Sequence, residues 1–285
     1  MGLTVGARLH ALRRLTRFDN AVCAGGYTVL GGYLAAPSPD LPVVVRAALV
    51  VLSTVCFGNV INDYRDVAAD KQMKPDRPLP AGLISLRAAA GIAAAFALGA
   101  LLLAATLAPL LVGVAILAVL LSAGYSYGLK GTLLLGNVAV AVLVAATVFY
   151  GALAAGALNV KVGIACALIF VFSVAQEVLF NLLDEEGDRR AGVGTTAARL
   201  GPARTLMLYR ALMLLFCAIA VATTLLDRVS ITYAVLIVSF MVVPTLALLV
   251  MLRTPITVLK LRRAITFTRA VWLCGAVPLV VLAVQ

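Results

Sequence analysis

The chain has 285 residues, 63% of them hydrophobic and only 12% charged, with a mean hydropathy of +1.09. Soluble domains carry about 25% charged residues, so this composition excludes a soluble globular enzyme and indicates an integral membrane protein. The net charge of +11 raises nucleic-acid binding, but the placement of the charges argues against nucleic acid as a partner.

A membrane-crossing helix needs about 20 apolar residues, and nine such runs follow in order: roughly 19–36, 41–62, 86–107, 109–127, 133–155, 162–183, 203–226, 230–252 and 265–284. The third and fourth are nearly continuous, split only at Leu107-Ala108-Pro109. Twenty of the 23 Lys and Arg residues fall in the amino-terminal segment and the loops after spans 2, 4, 6 and 8. The opposite side keeps three: Arg46, Lys161 and Arg228. The positive-inside rule then places the amino terminus in the cytoplasm and the carboxyl terminus outside the inner membrane. Most of this charge reads as topology signal and contact with anionic membrane lipid. No cleavable signal peptide is expected, because residues 1–18 are basic and no short apolar core with a small-residue cleavage site follows.

Span 1 opens with Arg17-Phe18-Asp19-Asn20, charges that either snorkel to the interface or line a cavity. Its Gly-Gly pairs, 25–26 and 31–32, allow close helix contact. Span 2 runs into Asn62-Asp63-Tyr64-Arg65-Asp66-Val67-Ala68-Ala69-Asp70. Asn62, Asp66 and Asp70 are spaced i, i+4, i+8 and stack on one helix face. Such oxygens repel unless a cation lies between them, and Mg²⁺ favours oxygen ligands and keeps substrate phosphates as others. Lys71, Lys74 and Arg77, just downstream, could hold those phosphates; the blander reading is a solvated helix end with local ion pairs. The prolines of Arg77-Pro78-Leu79-Pro80-Ala81-Gly82 bar helix through 77–80 and turn the chain before Ser85.

Span 4 ends in Tyr125-Ser126-Tyr127-Gly128-Leu129-Lys130. These tyrosines read either as interfacial belt residues or as aromatic faces turned to a buried cation. Asn137, just inside span 5, needs a partner within the bundle. Span 6 carries Glu177, a carboxylate at membrane depth and so a functional candidate, and ends in Asn181-Leu182-Leu183-Asp184-Glu185-Glu186-Gly187-Asp188-Arg189-Arg190. Asp184 and Asp188 repeat the i, i+4 spacing, each 118 positions after its counterpart (66 to 184, 70 to 188). Nine of the twelve acidic residues fall near these two clusters, which suggests one site built from two halves facing the cytoplasm. Beyond them, Ala191-Gly192-Val193-Gly194 forms a turn and Thr195 or Thr196 is a plausible N-cap. Spans 7–9 look like scaffold, with Asp227 and Arg228 marking an outer turn. Arg253, Lys260, Arg262 and Arg263 form an inner basic loop for lipid contact.

Other chemistries lack their residues. His10 is the only histidine, which excludes His-based zinc chemistry and a Ser-His-Asp triad. The five cysteines all sit in apolar runs and read as small buried hydrophobes. There is no Walker loop and no nucleotide-binding glycine motif after a strand. What remains describes a ligand with a diphosphate head and a long hydrocarbon tail. Mg²⁺ between the clusters would make the diphosphate a better leaving group, with Lys74, Arg77, Lys130 and Arg189 or Arg190 taking up the growing charge. A greasy cavity would shield the allylic cation from water.

Asn62-Asp63-x-x-Asp66-x-x-x-Asp70, Arg77-Pro78-Leu79, the Tyr-Ser-Tyr-x-x-Lys of 125–130 and Asp184-x-x-x-Asp188 resemble the UbiA superfamily of intramembrane prenyltransferases, from Arg17 to about Gly201. The resemblance implies one all-α domain over 1–285, with nine transmembrane helices around a central cavity and a cytoplasmic cap formed by the loops after helices 2, 4 and 6. It implies two Mg²⁺ held by Asn62, Asp66, Asp70, Asp184 and Asp188, with Asp66, Asp184, Tyr125, Tyr127 and Lys130 serving catalysis. Lys74, Arg77, Lys130, Arg189 and Arg190 would contact the diphosphate, and Tyr125 or Tyr127 would face the reactive carbon. Arg17, Asn20, Asp63 and Glu177 remain for the acceptor or the cavity wall.

The spacing from Asp70 to Gly82 looks most like the branch that alkylates glycerol-phosphate lipids, although many of its members carry Asp where this chain has Asn181. The composition, heavy in Ala, Leu, Val and Arg, fits a quinone or secondary-metabolite enzyme equally well, and the preferred reading is transfer to a small aromatic acceptor. The alternatives are a UbiA-type terpene cyclase, transfer to a glycerol-phosphate lipid and, outside the enzymes, a cation-coupled transporter.

Overall fold

The computed structural model describes residues 4–226, 229–253 and 255–285; the outer turn expected at Asp227 and Arg228 lies outside them. Among the described residues the chain is helical throughout, without strands. The helices are α1 (Val5–Thr16), α2 (Phe18–Ala35), α3 (Leu41–Met73), α4 (Leu86–Ala104), α5 (Pro109–Tyr127), α6 (Leu135–Ala154), α7 (Val160–Arg190), α8 (Thr196–Thr223), α9 (Ile231–Ile237), α10 (Val243–Met251), α11 (Val258–Cys274) and α12 (Ala276–Ala283). A π-helical stretch, Val238–Val242, joins α9 to α10.

Eight spans are long and apolar enough to cross a membrane: α3 to α8, the continuous run Ile231–Met251, and α11 with α12 as Val258–Ala283. The first of the nine expected spans is α2. It has 18 residues but is not among these eight, because Asp19, Asn20, four glycines and two tyrosines lower its hydropathy. It nevertheless packs against α3, α6, α7 and α12.

Two helices outrun the bilayer. α3 has 33 residues and α7 has 31, which at 1.5 Å per residue is about 50 and 46 Å against a hydrocarbon core of about 30 Å. Their surplus turns carry the two acidic clusters. α3 begins with Asp40 accepting from the Val43 amide and Pro42 in the first turn, and stops at Met73 before Pro75. α7 begins with Asn159 accepting from the Val162 amide. The split between α4 and α5 falls where expected, with Ala108 extended ahead of Pro109.

Close packing of α2 on α6, toward the end of the bundle away from the acidic clusters, depends on small residues. A Cβ at Gly31 would stand 2.0 Å from the Val148 carbonyl oxygen, and one at Gly151 would stand 1.8 Å from that of Thr28. Only glycine lets α2 and α6 touch backbone to backbone there. Gly26, by contrast, faces open space. In α8 the chain breaks at Gly201 (φ 75°, ψ 164°) before Pro202, so residues 196–200 form a separate turn below the span.

Candidate active site

The acidic ends of α3 and α7 meet. Lys74 Nζ, just past α3, lies 3.6 Å from Asp184 Oδ2 on α7. Met73 and Gly187 are also in contact, since a Cβ at Gly187 would stand 2.4 Å from the Met73 methyl. The two sequence clusters therefore form one constellation at one end of the bundle.

The α3 half is held by bases from three distant points in the chain. Asp63 is buried and accepts from Arg17 Nη2 at 2.7 Å and Arg77 Nη1 at 3.2 Å. Asp70, also buried, accepts from Arg77 Nη1 at 2.7 Å. Asp66 accepts from the Asn62 amide at 3.1 Å and from the Lys130 ammonium. The stripe of one helix face continues to Asn59, one turn before Asp63, which accepts from Arg17 Nη1 and donates to the Thr16 carbonyl at 2.9 Å. Arg17 itself is the left-handed residue (φ 47°, ψ 50°) that ends α1 and starts α2. That conformation costs roughly 1–2 kcal/mol for a residue with a Cβ. Its bonds to Asn59 and Asp63 offset the strain and fasten α1 against the site. Asn59 escaped the sequence reading, although its spacing, i−4 from Asp63, was a signal for it.

The α7 half is looser. Asp188 accepts from the Thr195 hydroxyl at 2.9 Å. Asp184 has 41% of its side chain exposed, with Lys74 as its only ion-pair partner among the described residues. Asn181 Oδ1 accepts from Asn137 Nδ2 at 2.9 Å, and Asn137 Oδ1 accepts from the Thr196 hydroxyl at 2.7 Å. That relay needs the Asn181 amide oxygen and supplies the partner expected for Asn137. It also explains why neither threonine caps by side chain: Thr195 turns to Asp188 and Thr196 to Asn137, while the Leu134 amide donates back to Thr196. Glu177 lies further along the same face of α7, half-buried and without a hydrogen bond among the described residues; Arg17 and Lys130 are its charged neighbours, and Tyr125 lies beside it.

Several expected residues point elsewhere. Tyr125 is half-buried, whereas Tyr127 is 56% exposed with the Arg65 guanidinium 4.5 Å above its ring. Arg189 and Arg190 are 68% and 77% exposed and pair with Glu185 and Glu186 one turn back, outside the cluster of Lys74, Arg77 and Lys130. Asn20 is exposed, and its neighbour Asp19 pairs with Arg13 at 2.8 Å; Asn20 is thus not a cavity residue. Asp63 is tied between two arginines as a pairing carboxylate.

Among the described residues no three acidic, His or Cys side chains converge as a preformed metal cluster; bases stand between the carboxylates. Two buried oxygens of the clusters, Asn62 Oδ1 and Glu185 Oε1, lack hydrogen-bond partners among the described residues. An orphaned buried carbonyl such as that of Asn62 costs roughly 1–3 kcal/mol. A hard oxygen-seeking cation would satisfy it.

The description "UbiA prenyltransferase family" belongs to a family model that matches residues 26–282. A digeranylgeranylglyceryl phosphate synthase of Methanoculleus marisnigri is 38% identical over 196 residues, 68% of this chain and 70% of that protein. A solved structure of digeranylgeranylglyceryl phosphate synthase superposes over 97% of this chain and 99% of its own, with TM-score 0.78 and 22% identity. A UbiA homologue from Archaeoglobus fulgidus bound to GPP and Mg²⁺ covers 94% of this chain and 99% of its own, with TM-score 0.72 and 20% identity. With the family matched over nearly its whole length and the acidic helix ends joined, this chain belongs to the UbiA prenyltransferase family and is a multi-pass membrane enzyme that transfers prenyl groups.

Proposed function

We propose that the enzyme moves a prenyl group from a prenyl diphosphate to the hydroxyl of a glycerol-phosphate lipid, releasing diphosphate. The observation that carries the site is the approach of Lys74 to Asp184, which joins two carboxylate-bearing helix ends into one place for a diphosphate. The acceptor reading rests on the relatives, which are named digeranylgeranylglyceryl phosphate synthases at 32–39% identity. It replaces the aromatic acceptor preferred from composition.

Asn62, Asp66, Asp70, Asp184 and Asp188 would hold Mg²⁺, two ions by the family resemblance; the donor set is all oxygen and the orphaned Asn62 carbonyl fits it. Bound there, Mg²⁺ would neutralise the diphosphate and improve it as a leaving group. Lys130, Lys74 and Arg77 now neutralise Asp66, Asp184 and Asp70. Once the carboxylates have another cation, these bases are free to turn to phosphate oxygens. Tyr125 would face the allylic cation with its ring. Arg17 and Glu177, on the inner wall, stand where the acceptor would meet the reactive carbon.

The hydrocarbon tail would run along α7 toward Phe172, whose aromatic cluster with Tyr27, Phe216 and Trp272 encloses a cavity of only about 20 Å³ that the tail would have to widen. Phe172 lies twelve residues from Asp184, about 18 Å along the helix. α2 would serve as the ninth span. The loops after α3, α5 and α7, linked by Lys130 to Asp66 and Leu134 to Thr196, would form the cap, on the cytoplasmic side by the charge asymmetry of the loops.

The test is incubation in detergent with geranylgeranyl diphosphate, Mg²⁺ and either a prenylglyceryl phosphate or an aromatic acid, read by mass spectrometry. The expected result is an ether lipid formed only with the glyceryl phosphate. A prenylated aromatic would overturn the acceptor, and a hydrocarbon made without any acceptor would indicate a cyclase.

A further inference from the structure

We infer that the groove between α8 and α10 is a binding site for one anionic phospholipid, separate from the prenyl-transfer site. The groove, of about 630 Å³, is lined by Arg210, Leu214, Leu246, Leu249, Val250 and Arg253. Its two walls are graded alike. Arg210 on α8 and Arg253 just past α10 stand at one level, because Arg210 Nη2 donates to the Leu252 carbonyl at 2.9 Å. Below them the walls are apolar: Leu214 one turn along α8, then Leu249, Val250 and Leu246 one to two turns back along α10. From Arg253 to Leu246 the groove descends about 10 Å. Two guanidinium groups above an aliphatic slot have the polarity of a phosphodiester above acyl chains.

Charge singles out the occupant. Arg210 stands at the surface end of its span, one turn from the apolar Leu214, where a guanidinium without a counter-charge attracts an anionic headgroup. Among the described residues no Asp or Glu lies within ion-pair distance of Arg210 or Arg253. The Leu252 carbonyl takes one N–H of Arg210 and leaves the rest of its fork for another acceptor, and guanidinium forks match phosphate oxygens. The level is right as well. α7 ends and α8 begins at the acidic end of the bundle, and the run through α9 and α10 returns the chain to that end. Arg253 therefore stands at the membrane surface nearest the acidic clusters, where Lys260, Arg262 and Arg263 add positive charge. Leu214, Leu246 and Val250 are 54%, 44% and 55% exposed, open along the slot to an acyl chain.

The experiment is native mass spectrometry of the full chain in detergent, titrated with phosphatidylglycerol and phosphatidylcholine of identical acyl chains. Each arginine near anionic lipid is worth about fivefold in affinity. The wild type should bind its first phosphatidylglycerol at least about tenfold more tightly than phosphatidylcholine. Arg253→Gln, which removes no side-chain hydrogen bond or ion pair within the described residues, should lose about fivefold of that preference. Arg210→Gln, which keeps a donor for Leu252, should lose a similar factor. Leu249→Trp should abolish the tight site with both arginines present, while Arg262→Gln should leave it unchanged. Prenyl transfer in detergent should be unaffected by Arg253→Gln. Equal binding of the two lipids, or a preference that survives Leu249→Trp, would overturn the proposal.

Discussion

The acidic ends of α3 and α7 look alike in sequence and differ in what holds them. On α3, Asp63, Asp66 and Asp70 are each matched by a base supplied from outside the helix, namely Arg17, Arg77 and Lys130. On α7, Glu185 and Glu186 pair with arginines of their own helix one turn on, and Asp184 and Asp188 keep only Lys74 and a threonine hydroxyl. The first end is therefore a keystone: it ties the α1–α2 junction, the proline loop and the α5–α6 turn to one helix. The second is the opener half, with Asp184 two-fifths exposed toward whatever enters. Two equal motifs can thus be needed equally for chemistry and unequally for folding.

Substitutions test that distinction. The largest effect should come from Asp66→Ala and Asp184→Ala, each lowering Mg²⁺-dependent diphosphate release by about 10²-fold or more while the protein remains monodisperse in detergent. A variant that turns over like the wild type would remove that residue from the shared site. Next, Asp63→Ala should destabilise the protein by about 2 kcal/mol, since it removes a carboxylate only 5% exposed that accepts from two arginines, leaving Arg17 to Asn59 and Arg77 to Asp70. The counterpart on α7, Glu186→Ala, should leave the thermal midpoint nearly unchanged; equal losses from both would erase the asymmetry. Lys130→Met should reduce kcat/KM for the prenyl diphosphate by about tenfold to a hundredfold, the range for a hydrogen bond to a charged group. The smallest effects belong to Arg189→Ala and Arg190→Ala, about 0.5 kcal/mol or less in stability and no more than about twofold in KM. A large rise in KM would return these arginines to the diphosphate.

Much of this was legible in the chain. Apolar runs located the helices, and the i, i+4 spacing of acids at the ends of two runs marked the helix ends that the fold brings together. Helical phase could have carried the reading further. Tyr125 and Tyr127, two positions apart, cannot share a face, so one had to point away. Arg189 and Arg190 follow Asp188 directly and are turned off its face in the same way. What no local pattern contains is the left-handed turn at Arg17, which reorients α2 and sends Asn20 outward while its own guanidinium reaches 46 residues along the chain to Asp63. The use of Asp63 as a pairing group was hidden for the same reason: both its partners come from other elements. α2 was found as an apolar run, yet it is less apolar than the eight other spans because its glycines serve contact with α6.

The most direct test of one site built from two helix ends is calorimetric titration of a non-hydrolysable prenyl thiolodiphosphate, with and without Mg²⁺, into wild type, Asp66→Ala and Asp184→Ala. The account predicts Mg²⁺-dependent binding that either substitution alone abolishes. Full Mg²⁺-dependent affinity in Asp184→Ala, with loss only in Asp66→Ala, would show that the α7 end takes no part.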